Sequence, residues 1–408
     1  MALSKLVVVV FRVLPLSLWA IRSCHAEKHL DEELHEIRKT YGGVALAGIS
    51  LDSQGTICAA GADGERILGS NVPVDAVDGR WQIGSCTKSM TAVLVAIMLE
   101  EGSFGNGINW NSTLADIVPA SWSCEESSYS TVTIQQLLSM ASGLARDPPD
   151  GWETYEGNKT LPLKQQREAA ARGALMSKPV NMPGTTFLYS NWGYVLAGAI
   201  LEAYTGKLWE ELVSEWIFEP LGIEIDLNMD FGVPRGANDP WGHIAGIFYG
   251  YKACNPFQKA CGYRPVIGPC GGFTGNSRAM VAYLAWHMRC HNGMSRDGDP
   301  KLSAAACRKL HTPVDPLISN YALGWTCVEQ VWAGKKVLAC SHYGSIGYWI
   351  YHVWISPGMD RAFISTTNSR RNKFQSMVEM TTTDKAVVMM IESNITCDSG
   401  KEWLVEVN

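Results

Sequence analysis

Between Met90 and Leu99 the chain reads "MTAVLVAIML", with Thr91 as its one polar side chain. Such a run has no polar face to turn outward, and a helix hydrophobic all round is a buried one. The segment from Ser85 to Glu100 is therefore expected to form a helix at the centre of the protein. Other stretches show ordinary periodicities. Residues 27–40 carry Leu30, Leu34 and Ile37 at helical spacing, and "GVALAGISLDSQGTICAAGA" reads as two strands joined by a turn at Asp52–Gly55. The middle of the chain is mainly helical. Thr133 to Gln136 forms a capping box before "LLSMASGL", "SNWGYVLAGAILEAYTG" closes on Gly206, and "LWEELVSEWIF" stops before Pro220. Strand patterns return in "ALGWTCVEQV", "KKVLACSHYG", "GYWIYHVWIS" and "RAFISTTNS", and a last helix is expected at about 382–393. Early strands, a helical middle and late strands predict an α+β fold. Its first and last strands should pair in one antiparallel sheet flanked by helices, with a mainly helical lobe, roughly residues 86–274, inserted between them.

Composition adds the setting. The chain has 408 residues, 46% of them apolar and 18% charged, enough for one large core. No repeat or low-complexity linker divides it, so residues 27–408 read as a single catalytic unit. The net charge of -6 disfavours nucleic acid and anionic membrane surfaces as partners; the basic pairs Lys335–Lys336 and Arg370–Arg371 read as solvated loop charges. Residues 1–26 combine Lys5, the apolar stretch "LVVVVFRVLPLSLWA" and the small residues Cys24 and Ala26, the pattern of a secretory signal peptide. That stretch is too short and broken for a spanning helix and no 18-residue apolar run appears elsewhere, so secretion without a stable membrane anchor is expected, with an uncleaved anchor as the alternative. Twelve cysteines fit an oxidising compartment. Setting aside Cys24 and Cys86 leaves ten, enough for five disulfides; Cys327 with Cys340, across a short turn between strands, is the pair expected first. Sequons at Asn111, Asn158 and Asn394 are candidate glycosylation sites. No metal site is expected, because His287 and His291 share a helical spacing but lack the glutamate of a zinc motif.

Three short motifs carry candidate chemistry. In "SCTKSM", Ser85 and Lys88 lie three apart, so one helical turn puts them on one face, while Cys86 and Thr87 point elsewhere. A lysine entering an apolar helix is disfavoured in its charged form, and a neutral amine can accept the serine proton. In "YSN", Tyr189 could share the proton transfer beside such a cation, and Asn191 could orient the lysine and a substrate amide. In "SHYGS", His342 could position a substrate carboxylate or carry a proton. Gly344 permits close backbone approach, and the N–H of Ser345 could join that of Ser85 in an oxyanion hole.

The order SxxK, YSN, HxG resembles the serine β-lactamase and penicillin-binding-protein-like superfamily, and within it the branch of class C β-lactamases, D-alanyl-D-alanine carboxypeptidases, D-aminopeptidases and esterases. "VTIQQLLSMASGL", "PGTTFLYSNWGYVLAGAILEAYTGK", "IFEPLGI" and "YALGW" look like landmarks of that branch. The resemblance implies an acyl-serine mechanism with Ser85 as nucleophile, Lys88 and Tyr189 sharing protons, Asn191, His342, Gly344 and Ser345 on the substrate, and no cofactor. Two departures stand out: HYG replaces the KTG of class C β-lactamases, which speaks against β-lactams as the natural substrate, and Met140 replaces a histidine of "LLTHTSGL". The implied activity is a secreted serine hydrolase of peptides, amides or esters. Its alternatives are an acyltransferase with the same residues and an extracellular-matrix protein, such as a shell component, that keeps only the fold. No GxSxG occurs, which excludes an α/β-hydrolase elbow.

Overall fold

The computed structural model describes residues 30–122, 127–156, 161–236, 238–246, 250–257, 263–332, 335–370, 377–393, 395 and 397. The signal segment 1–26 and the sequons at Asn158 and Asn394 lie outside them. Helix α1 covers residues 30–41, and strands β1 (Ala45–Leu51) and β2 (Ile57–Gly64) follow as a hairpin closed by Gly55 N–H on Asp52 O. The late strands are β7 (Thr326–Trp332), β8 (Lys335–Gly344), β9 (Ile350–Ser356) and β10 (Arg361–Thr367). Together they form one antiparallel sheet in the order β2-β1-β10-β9-β8-β7, with Leu46 opposite Thr367 where the two ends of the chain meet. The remaining short strands are β3 (Arg80–Gln82), β4 (His243–Ala245), β5 (Tyr251–Ala253), β6 (Thr274–Asn276) and β11 (Ser369–Arg370), in two small sheets.

Alternation along the strands supplies two apolar faces. On one, Leu46, Phe363 and Ala339 pack under Leu30 and Leu34 of α1 and Ala386, Val387 and Met390 of α12 (Met377–Glu392). On the other, Ala47, Ile49, Val353 and Ile364 join the large core shared with the helical lobe. That lobe holds α2 (Lys88–Glu100), α3 (Leu114–Ile117), α4 (Ile134–Leu138), α5 (Glu153–Glu156), α6 (Leu163–Met176), α7 (Asn191–Thr205), α8 (Trp209–Val213), α9 (Gly268–Gly271) and α10 (Ser277–His291); α11 (Ala304–Leu310) leads back to β7. Helix α2 lies at the centre, its side chains from Lys88 to Met98 all buried. Gly206 adopts φ 78° and ends α7, as its place after "EAYT" predicts.

Three expectations need correction. The last helix begins at Met377 rather than near 382. "ALGW" is a turn, and β7 starts only at Thr326. The cysteine count also changes: Cys270 is a second free, buried thiol beside Cys86, so ten half-cystines are not there to make five bridges. Cys270 lies in the core, where its carbonyl accepts from Lys88 Nζ. Cys327 and Cys340 do pair, facing each other across β7 and β8, and Cys58–Cys397 and Cys290–Cys307 are also bonded.

Candidate active site

A 3-10 turn, Gly84–Thr87, runs directly into α2. In that geometry residues three apart lie one above the other, and Lys88 Nζ stands 3.1 Å from the Ser85 hydroxyl. Lys88 is fully buried, and its Nζ donates as well to Asn191 Oδ1 at 2.8 Å and to the Cys270 carbonyl at 2.7 Å. The neighbouring nucleophiles turn away. Cys86 Sγ lies 3.3 Å from the His342 carbonyl, and burial pushes its thiol far up, so it stays protonated and inert. Thr87 Oγ1 accepts from the Phe273 N–H at 3.2 Å.

The second motif opens α7. Ser190 is its N-cap: Oγ accepts the Gly193 N–H at 3.0 Å and donates to the Ala145 carbonyl at 2.8 Å. This fixes Asn191 in the first turn and Tyr189 just before it. The Tyr189 ring is half-buried, with Lys88 Nζ 4.9 Å from its centroid and the Arg146 guanidinium at 5.5 Å. Met140 lies beneath the motif at φ 65°, and its sulfur accepts the Ser190 N–H at 3.2 Å. The residue that replaces the family histidine thus supports the YSN turn.

At the end of β8, two glycines close the gap to the Ser85 turn. A Cβ on Gly344 would overlap the Ile83 carbonyl, and one on Gly84, which sits at φ +52°, would overlap the Ser345 nitrogen. The Ile83–Ser85 backbone and the Gly344–Ser345 backbone therefore pack directly against each other. Within the turn, the Gly84 N–H goes to the Gln82 side chain and the Cys86 N–H to the Ile83 carbonyl, so the Ser85 N–H falls at the free end of the helix beside Ser345. Gly344→Ala should push these backbones apart and lower the melting temperature by several degrees; loss of one oxyanion donor costs about a hundredfold in acylation, and a decline of about tenfold or more in Ser85 labelling by a fluorophosphonate, measured well below the melting transition, is the expected result.

His342 is buried, and its surroundings define its state. Nδ1 lies 2.6 Å from the Tyr343 carbonyl and Nε2 3.0 Å from the Tyr321 hydroxyl. A carbonyl only accepts, so Nδ1 carries the proton and Nε2 accepts from Tyr321. Burial, then the Lys88 charge, push its pKa down to about 3. Both ring nitrogens are thereby engaged within the protein. The Tyr321 ring packs against Tyr189 and Phe187.

Tyr321 and Asp147 escaped the sequence reading, and the basic pairs read as solvated loop charges need correction: Lys335 and Lys336 open β8, and Arg370 lies half-buried in β11. Asp147 Oδ1 accepts from Asn191 Nδ2 at 2.9 Å, and Arg370 Nη1 donates to Ser345 Oγ at 3.2 Å. Of Tyr321 and Asp147, only the first lies in a stretch that the sequence reading singles out, the "YALGW" landmark. The remaining candidates lie elsewhere. Asn111 is exposed in a turn, its side-chain oxygen bonded to Gln135. His287 and His291 do share a face of α10, but His311 sits between them, and its two nitrogens each contact one neighbour at 3.0 Å. That makes a hydrogen-bonded chain rather than three nitrogens converging on one point.

A family model described as Beta-lactamase matches residues 43–382, from β1 to the last helix. The chain belongs to the Beta-lactamase family. Among curated proteins in this family's range, "Penicillin-binding protein 4" of Amycolatopsis lactamdurans is 25% identical over 310 residues, 73% of this chain and 74% of the relative. Two solved structures share the fold: a class C beta-lactamase (TM-score 0.66, 15% identity, 92% and 98% of the two chains) and the D-amino acid amidase from Ochrobactrum anthropi SV3 (TM-score 0.66, 17% identity, 90% and 99%). Within the described residues, no helix is long and apolar enough to cross a membrane.

Proposed function

We propose that this chain is a secreted serine hydrolase that cleaves a peptide, amide or ester through an acyl-enzyme on Ser85. The observation that carries the reading is the buried Lys88 amine, 3.1 Å from the Ser85 hydroxyl and held from behind by two acceptors. A neutral amine there gives its two N–H bonds to Asn191 Oδ1 and the Cys270 carbonyl, and its lone pair faces Ser85. As Ser85 Oγ bonds to the substrate carbonyl carbon, its proton passes to Lys88. The oxygen that becomes negative sits between the N–H groups of Ser85 and Ser345. The proton then goes to the leaving amine or alkoxide, with the Tyr189 hydroxyl as a relay, and the carbonyl–leaving-group bond breaks. Water repeats the sequence to release the acid and restore Ser85. His342 acts from behind, holding Tyr321 against Tyr189. Arg370 beside Ser345 suits a substrate with a carboxylate on the leaving-group side. Export is supported by the signal-like first 26 residues and by the bonded cysteine pairs.

The mature protein treated with a fluorophosphonate, or with a penicillin, should gain one adduct, on the peptide containing Ser85. Labelling of Cys86 instead, or none where a reference serine hydrolase is labelled, counts against the proposal; the second outcome favours a structural role.

A further inference from the structure

The Lys88 amine needs an acceptor from Asn191, yet a carboxamide offers an oxygen at one end and an NH2 at the other. The two ends have nearly the same shape, and a half-turn of the side chain exchanges them. What decides the orientation is the group on the far side. Asp147 Oδ1 accepts from Asn191 Nδ2 at 2.9 Å while Asn191 Oδ1 accepts from Lys88 Nζ at 2.8 Å. A carboxylate has no hydrogen to give, so the reversed amide would set two oxygens face to face.

Asp147 is itself held for this task. The Trp152 indole N–H donates to the same Oδ1 at 3.1 Å, and Arg146 Nε lies 3.5 Å from Oδ2. The backbone before it is bolted to the start of α7. The Arg146 carbonyl accepts the N–H groups of Asn191 at 2.8 Å and Trp192 at 3.2 Å, and the Ala145 carbonyl accepts the Ser190 hydroxyl. Asp147 and Asn191, 44 residues apart in sequence, therefore cannot drift independently.

We infer that Asp147 is a positioning residue that keeps the Asn191 NH2 away from Lys88 and so leaves the lysine lone pair free for the Ser85 proton. In the reversed orientation the NH2 would donate to the neutral amine and occupy that lone pair. The base would then be capped at the moment it is needed. The inference rests on the acyl-serine reading above. It adds that the acid acts only through Asn191, without touching substrate.

Second-order labelling of Ser85 by a fluorophosphonate tests it, followed across pH 6–9 with melting temperatures to verify folding. Asp147→Ala should label about 10- to 100-fold more slowly than wild type, the scale set by misplacing a catalytic group, and its pH–rate profile should move. Asp147→Leu, which keeps the volume, carries the same expectation and replaces the alanine variant if that does not fold. Asp147→Asn retains an oxygen acceptor and should label within about threefold of wild type. In an Asn191→Ala background, Asp147→Ala should add almost nothing. The inference is overturned, with the acyl-serine reading intact, if Asp147→Ala labels like wild type, if the two losses multiply, or if Asp147→Asn is as slow as Asp147→Ala. If wild-type Ser85 itself does not label, both fall together.

Discussion

Lys88→Met should reduce Ser85 acylation by about a thousandfold or more, the upper range for loss of a positioned acid–base group. Methionine keeps the apolar stem of the buried lysine and ends one atom short of its nitrogen. It removes only the nitrogen that touches Ser85, Asn191 and the Cys270 carbonyl. Two buried acceptors then lose their donor, which costs about 1–3 kcal/mol in folding, so the variant should melt several degrees lower yet fold. Lys88→Arg makes a sharper comparison: it can satisfy both carbonyls, but guanidinium does not deprotonate in proteins. It should restore part of the melting temperature and little of the labelling rate. Active-site labelling kinetics for the two variants, beside Ser85→Ala as the zero, read the difference. A Lys88→Arg protein that acylates within tenfold of wild type would remove lysine from the proton path.

How far this was legible follows from the separation of the groups involved. Ser85 and Lys88 are three residues apart, so local geometry alone brings them together and singles out Ser85 from Cys86 and Thr87. The pairing of the first and last strands was legible too, because β1 and β10 each carry a strand pattern and neither has another place to go. Asp147 was not. Nothing within "ARDPPD" sets it apart from a loop acid, and its meaning comes only from Asn191, which tertiary packing delivers. Cys270 failed for a related reason: counting assumes that cysteines in an exported chain pair, whereas this one packs under Lys88 with its thiol pushed up to about 11 by burial. His311 was invisible beside the legible pair His287 and His291, since it arrives from the far end of α11.

That histidine group underlies the second large effect expected of the protein, a loss of stability in mild acid. Burial holds the His287 pKa down at about 3, with the neighbouring His291 adding to the shift, and burial likewise depresses His311, which lies between them, and His352 under α12. His342 is held at about 3 as well. Around the α10 group stand Trp286 and Trp325, which offer no charge, while Arg308, whose guanidinium donates to the His291 carbonyl, opposes protonation. Each of these groups titrates near 6.5 once unfolded. Their folded pKa values lie below the unfolded one, so the stability they allow is complete above pH 6.5 and is lost as pH falls from there towards 3. Within that window the unfolded chain takes up protons that the native one refuses. His287 and His342 alone should then steepen the loss to about 2 kcal/mol per pH unit between pH 6 and 5, from 1.4 kcal/mol per fully titrating group. Buried carboxylates such as Glu202 and Asp230 have raised pKa values and act in the opposite sense, but from unfolded values nearer 4. Their window runs upward from the unfolded value into the same interval, so the net slope between pH 6.5 and 5 is the histidine loss less what these carboxylates return. Urea unfolding at half-unit steps of pH measures that net slope; a free energy that stays level across the interval would mean that these imidazoles cost the fold no more than the carboxylates return.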